Sequence, residues 1–334
     1  MSSPDPTMLE TYFRLMNTNG VAQVYRTALD VGVLSTLETS PLSAAEVAAA
    51  CGARPYPIEL LLDSLVAMGA VRKDGDRYGL ADVTRLLLHS DYRELGDQYW
   101  RYLPTFLQMA VPLRKMDDVA ESEAHYQSQA AMLGWMLSPA AATAATLLQA
   151  RSTRRGLAIL DVGAGSAVWS LSLARLDAQA QVTAVDWPLV LEVATENAAD
   201  FGLSDRLTTI AGNIHEVELP GAAFDLAIVA NVTHLLTPQG NEALFSKLHR
   251  TLNVTGEIVV IDAFPGAAAG DVPYAIYRLG LALRTENGRV YEAEQLQSIL
   301  TSAGFERGEL VALDVSPHMV GMLVARKRPA VGGD

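Results

Sequence analysis

Between Leu157 and Ala167 the chain reads Leu-Ala-Ile-Leu-Asp-Val-Gly-Ala-Gly-Ser-Ala. The apolar run predicts a buried strand, and Gly163 and Gly165 let the backbone turn tightly where it leaves that strand. From Val168 to Leu176 the apolar spacing is helical, so the glycine turn lies between the carboxyl end of a strand and the start of a helix. Open α/β sheets bind nucleotide-like ligands at that place. This stretch commits the second half of the chain to a doubly wound sheet and nominates a ligand loop within it.

A Gly-x-Gly turn alone is weak evidence, and the residues downstream of it matter more. A second apolar run, Gln181 to Val185, ends in Asp186, about 20 residues beyond the glycines, where a carboxylate can accept from both hydroxyls of a ribose. A dinucleotide fingerprint needs a third small residue after Gly-x-Gly-x-x, and that position is Val168, too bulky for close helix packing on a pyrophosphate turn. The pattern therefore disfavours NAD. A ligand with adenosine but no pyrophosphate, such as S-adenosylmethionine (SAM), suits it better.

At 334 residues the chain has room for two domains of ordinary size. A formal net charge of -13 argues against nonspecific nucleic-acid binding, because a polyanion is repelled over much of such a surface. The one cysteine, Cys51, cannot form an internal disulfide, and the first residues lack a secretory leader pattern, so a reducing cytoplasm is expected. No apolar run looks long enough to cross a bilayer, and no membrane partner is expected.

In the first half, apolar residues recur at helical spacing from Met8 to Leu37, with Gly20 and Gly32 as expected breaks. Ser43 and Glu46 form a capping box for a short helix, Ala44 to Ala50. Ile58 to Met68 is a second helix, and Val71 to Leu80 a hairpin turning at Asp74-Gly75. Helix, turn, helix, hairpin is a winged-helix pattern. The helix that would read DNA carries Glu59 and Asp63 and no Lys or Arg, so an oligomerisation role is favoured over DNA binding. Tyr92 to Ala150 is helical and rich in aromatics and Met, a stretch that serves as helix core or as the wall of an apolar pocket.

Expected strands in the second half are Ala158 to Asp161, Val182 to Asp186, Leu207 to Ala211, Leu226 to Ala230, Glu257 to Ala263, Glu309 to Val315 and Met319 to Ala325. Expected helices are Val168 to Leu176, Leu189 to Phe201, Gly240 to Leu252 and Glu292 to Ala303. The domain boundaries are accordingly 1–91 for the winged-helix-like part, 92–155 for a helical linker and pocket region, and 156–334 for the α/β part.

With Asp161-Val-Gly-Ala-Gly, Asp186, Gly212-Asn213-Ile214 and Asn231-Val-Thr-His234 in place, the chain resembles the SAM-dependent small-molecule O-methyltransferases of the plant caffeate and bacterial polyketide type. The resemblance covers nearly the whole length. It implies a Rossmann-like methyltransferase domain behind a mainly α-helical winged-helix dimerisation domain, and a homodimer. It also implies a cofactor set of Gly163, Gly165, Asp186, Trp187, Asn213 and Ile214. The usual Gly-Asp-Met after the third strand is here Gly212-Asn213-Ile214, and an Asn carbonyl can still accept from an adenine amine.

By the same resemblance His234 matches the family's general base, and Asp262 an acid at the end of the next strand. The usual Asp-Trp after the His is Leu235-Leu236, and a third acid falls on Val290, which leaves a His/Asp pair as the catalytic residues. A neutral His can take a phenol proton, and a carboxylate on its other nitrogen orients it. Positions flanking the acceptor are Trp100, Leu103, Met132, Trp135, Met136, Tyr274 and Tyr277, which favours a flat aromatic or polyketide-like substrate. Arg278 and Arg284 are candidates to steer a substrate carboxylate. His215, beside the adenine loop, is the only other histidine with a suggestive position. No close Asp/Glu/His spacing points to a metal. Alternatives that stay open are methyl transfer to an enol or ring carbon, and a SAM-binding protein that no longer transfers methyl groups.

Overall fold

The computed structural model describes residues 6–88, 119–151, 154–264, 274, 277, 278, 281, 287–313, 315 and 320–329. Its chain divides into two units, Met1–Met109 and Ala110–Asp334. The first is built from α1 (Pro6–Asp30), α2 (Val33–Thr36), β1 (Leu42–Ser43), α3 (Ala44–Ala50), α4 (Pro55–Ala67), β2 (Val71–Asp74), β3 (Arg77–Leu80) and α5 (Asp82–Leu88). Helix α1 ends at Asp30, just before Gly32, whose φ of +85° is left-handed. The break expected at Gly20 does not occur. One interior glycine costs about 1 kcal/mol, too little to interrupt a helix of 25 residues.

Ser43 caps α3 as expected: its hydroxyl accepts from the Glu46 amide while Glu46 accepts from the Ser43 amide. The two-residue β1 is not legible in the sequence, since two residues have no period. It pairs antiparallel with β3, Leu42 opposite Tyr78. The hairpin is tied to α4, where the Tyr78 hydroxyl and Lys73 Nζ both donate to Asp63 Oδ1 at 2.8 Å. Those bonds, Lys73 first, hold the Asp63 carboxyl below its usual range. The would-be recognition helix thus spends its acid on its own wing. Leu34, Leu37, Leu62, Leu65 and Tyr78 form the core beneath.

The second unit begins with α6 (Val119–Arg151), followed by β4 (Ala158–Val162), α7 (Val168–Leu176), β5 (Gln181–Asp186), α8 (Pro188–Asp200), β6 (Leu207–Ala211), β7 (Phe224–Ala230), α9 (Pro238–Thr251), β8 (Leu252–Ala263), α10 (Ala293–Ser302), β9 (Glu309–Ala312) and β10 (Val320–Arg326). Among the described residues the large sheet has the order β6-β5-β4-β7-β8-β10-β9. The first five strands are parallel, and β10 runs antiparallel between β8 and β9. One face packs on α6, α7 and α8 through residues such as Leu137, Ala144, Ile159 and Leu171. The other packs on α9 and α10 through Leu244, Phe245, Leu296 and Phe305.

The expectation that no apolar run reaches membrane-spanning length needs correction. Within α6 the segment Gln129–Arg151 is long and apolar enough by composition. Its Leu137, Ala140, Ala141 and Leu148 are buried in the sheet's core, so part of that apolar surface is used inside the domain.

Candidate active site

The carboxyl ends of β4, β5, β6, β7 and β8 lie side by side, and each carries one residue of the pattern read from the sequence. At the end of β4, Gly163 has φ +64° and Gly165 φ +57°. An added Cβ at Gly163 would meet Val232 Cγ2 at 2.5 Å, whereas at Gly165 nothing lies within 4 Å. The turn is therefore tight on its inner side and open on its outer side. Ala167, also left-handed at φ 54°, closes the loop and starts α7. Gly134 of α6 seats directly against Ser166, leaving no room for a side chain, and Asn197 of α8 donates to the Ser166 carbonyl at 2.6 Å.

The neighbouring strand ends are stitched to this loop. The Gly163 amide donates to Val185 O at 2.9 Å, and the Gly212 amide to Asp186 O at 2.9 Å. Asp186 Oδ2 accepts from the Gly165 amide and Oδ1 from the Trp187 amide, both at 2.8 Å. Two backbone donors thus set the orientation of a carboxylate at the end of β5. So held, it can accept from the two hydroxyls of a ribose. The open side at Gly165 and the oriented carboxylate fit the adenosine part of SAM. Trp187 is half-buried, with its ring 5.9 Å from that of Tyr126 on α6.

After β6, Asn213 Oδ1 accepts from the His215 amide at 3.0 Å, and Ile214 is half-buried. Lys247 of α9 holds this loop by donating to Ile214 O at 2.6 Å and Val217 O at 2.5 Å. Burial lowers the Lys247 ammonium from its ordinary value. The His215 side chain is exposed.

Beneath the glycine loop Asp161 is 1% exposed and accepts from the Ser170 hydroxyl at 2.5 Å. Burial pushes its carboxyl up to about 7; the Ser170 bond opposes this and the negative Asp186 adds to it.

Beyond β7 the chain turns through Asn231, left-handed at φ 57°, a conformation Asn tolerates, into a short 3-10 turn, Thr233–Leu235. This places His234, 7% exposed, against the end of β8. His234 Nδ1 and Asp262 Oδ1 are 2.8 Å apart. Asp262 also accepts from the Thr233 hydroxyl at 2.5 Å, the His234 amide at 3.2 Å and the Ala263 amide at 2.8 Å. Burial alone would raise Asp262, but the imidazole and these donors outweigh it and hold the carboxyl below its ordinary value. An ionised Asp262 accepts only, so the hydrogen between them is carried by Nδ1; in a neutral imidazole so held, the lone pair is on Nε2.

The turn is fixed from outside as well. Asn241 Nδ2 donates to Thr233 O at 3.0 Å, the Arg289 amide to His234 O at 2.9 Å, and the Tyr291 hydroxyl to Leu236 O at 2.6 Å. Sequence reasoning does not single out Thr233, Asn241 or Tyr291. Thr233 stands beside His234 in the motif; the others are distant in sequence and have no local signal.

Of the expected acceptor wall, Tyr277 lies with its ring edge-on 6.2 Å from His234. Tyr274 is buried, and burial raises its hydroxyl. Arg278 stacks over the Tyr274 ring at 5.7 Å. Met136 is half-buried and Trp135 is 43% exposed. Trp100, Leu103, Arg284 and the Met132 side chain lie outside the described residues. Val290 is half-buried next to the Arg289 amide that reaches His234 O. Among the described residues no three His, Cys, Asp or Glu side chains come together as metal ligands.

Residues 159–256 match the model of a methyltransferase domain, and residues 13–90 that of the O-methyltransferase dimerisation domain. The chain is 25% identical to L-tyrosine C(3)-methyltransferase of Streptomyces lavendulae over 91% of this chain and 89% of that protein. It is 23% identical to the tetracenomycin polyketide synthesis 8-O-methyl transferase of Streptomyces glaucescens, over 83% and 86%. The structure of human N-acetylserotonin methyltransferase in complex with SAM superposes with a TM-score of 0.68 at 22% identity, covering 98% of this chain and all of that one. An O-methyltransferase dimerisation domain is followed along the sequence by a methyltransferase domain, and the chain belongs to the SAM-dependent O-methyltransferase family.

Proposed function

We propose that this protein methylates a hydroxyl of an aromatic or polyketide-like small molecule, with His234 as the general base. SAM supplies an electrophilic methyl group on a sulfonium sulfur. Gly163, Gly165 and Asp186 hold the ribose side of it, Trp187, Asn213 and Ile214 the adenine. The acceptor lies along Tyr277, Tyr274 and Met136, with Trp100, Leu103, Met132 and Trp135 as further wall. Residues 1–91 form the dimer, 92–155 contribute to the pocket, and 156–334 carry the transfer. A single cysteine suits a reducing, cytoplasmic setting.

The observation that carries this reading is the bond between His234 Nδ1 and the buried, ionised Asp262. A phenol of pKa about 10 and an ordinary imidazole near 6.5 are mismatched by about 3.5 units, so a base of this kind needs an anion to stabilise its imidazolium. Asp262 is that anion, and it leaves Nε2 to receive the proton. The base turn also touches the cofactor loop, since Val232 is the residue that fills the space beside Gly163.

The test is incubation with SAM and a panel of phenols, with S-adenosylhomocysteine (SAH) release and product NMR as readouts. A new O-methyl signal is expected; no SAH with any phenol overturns the reading. Transfer to carbon is the second reading, favoured by the relative named for C(3)-methylation of L-tyrosine. A phenolate also activates its ring carbons, so the same base serves, and a C-methyl signal on the ring distinguishes the two.

A further inference from the structure

Among the described residues, the hydrogen bond of the His234 imidazole is the one to Asp262 Oδ1, so the orientation of the ring depends on Asp262. Asp262 in turn is 2% exposed and accepts four hydrogen bonds. Oδ2 takes the Thr233 hydroxyl at 2.5 Å and the His234 amide at 3.2 Å; Oδ1 takes His234 Nδ1 and the Ala263 amide, each at 2.8 Å. A carboxylate has about four acceptor positions, and two donors on each oxygen prevent it from rotating. Three of these donors belong to the backbone or to His234 itself. The Thr233 hydroxyl is the remaining side chain. Thr233 is 1% exposed, and Asn241 Nδ2 pins its carbonyl at 3.0 Å, so the hydroxyl has no solvent to turn toward.

We propose that Thr233 is a positioning residue for the transfer. Its hydroxyl locks the Asp262 carboxylate in the orientation that keeps the proton on His234 Nδ1 and the lone pair on Nε2. The inference rests on His234 being the base. Without the hydroxyl, Asp262 Oδ2 keeps only the longer amide bond, the carboxylate can tilt, and the imidazole can exchange its proton between the two nitrogens.

The experiment compares the full chain with Thr233→Val, which keeps the shape, Thr233→Ser, which keeps the hydroxyl, and His234→Ala. Turnover is read with SAM and catechol, and the His234 tautomer by 15N NMR of histidine-labelled protein, the signal being assigned by its loss in His234→Ala. Thr233→Val is expected to lower kcat about tenfold with the KM for SAM unchanged, and to replace one Nδ1–H tautomer by a mixture. Thr233→Ser restores both. Wild-type kcat and tautomer in Thr233→Val, or a kcat loss without a tautomer change, overturns the inference while His234→Ala stays inactive. Full turnover by His234→Ala overturns the base assignment, and Thr233's part in transfer falls with it. If Thr233→Val does not fold or catechol is not turned over, the tautomer of Thr233→Ala against Thr233→Ser decides.

Discussion

At the scale of single residues the site separates into groups that bind and groups that react, and substitution distinguishes them. His234→Ala removes the proton acceptor but touches none of the cofactor set. It is expected to lower turnover by ~10²-fold or more with SAM affinity unchanged by calorimetry. Asp186→Ala does the reverse: losing charge-assisted bonds to a ribose is expected to weaken SAM about ten- to a hundredfold. Equal affinity in the titration would remove Asp186 from the cofactor site. Asp161 carries a pH effect that no motif announces. Its carboxyl keeps its proton up to about 7 in the folded chain but loses it near 3.8 when unfolded. Between those values the native state binds more protons, so stability falls as pH rises through that window. Asp161→Asn, still able to accept from Ser170, is expected to gain little at pH 4 and up to about 4 kcal/mol by pH 8. A difference in thermal unfolding that does not vary with pH contradicts this. The residue types at the strand ends were readable because each chemistry demands its type. The bonds that orient them were not, since the Thr233 hydroxyl reaches Asp262, and Asn241 the Thr233 carbonyl, only through space.

At the scale of elements, the two glycines of the β4 turn have equal left-handed backbone but unequal surroundings. Gly163→Ala adds a methyl 2.5 Å from Val232 Cγ2, and either the loop or the base turn must shift. Gly165→Ala meets open space and pays chiefly the left-handed strain, roughly 1–2 kcal/mol. The expected order of lost SAM affinity in calorimetry is therefore Gly163→Ala well above Gly165→Ala. Equal losses would show that backbone strain alone governs the loop. The central elements were legible because their signals are redundant. A buried parallel strand is a run of apolar residues closed by a polar one, as at Gln181–Asp186, and its helix has the 3.6-residue spacing. The sequence signal was weaker where tertiary contacts decide. Helix α1 passes Gly20 because its other residues carry the helix, and β8 begins at Leu252, five residues before its expected start, because Phe224 opposite Leu252 extends the pairing.

For the whole molecule, the sequence pattern specified both parts but not their assembly, because an interface between copies leaves no period within one chain. The structure supplies a reason to expect one. In α1 the apolar side chains of Phe13, Leu15 and Met16 are exposed, at 58%, 64% and 55%. Such a helical segment is marginal in water unless an apolar face is covered. A second copy would cover it, in keeping with the O-methyltransferase dimerisation domain matched over 13–90. Burying each large apolar side chain is worth about 1.5–3 kcal/mol, and a two-fold interface counts every residue twice. Introducing Asp at both Phe13 and Met16 therefore places four buried charges in the dimer and none in the monomer's core. Sedimentation at micromolar concentration is expected to show a dimer for the wild type and a monomer for Phe13→Asp/Met16→Asp. The methyltransferase unit of the double variant should still bind SAM, because its cofactor residues all lie beyond Ala110. A double variant that remains dimeric would move the interface away from the first half of α1.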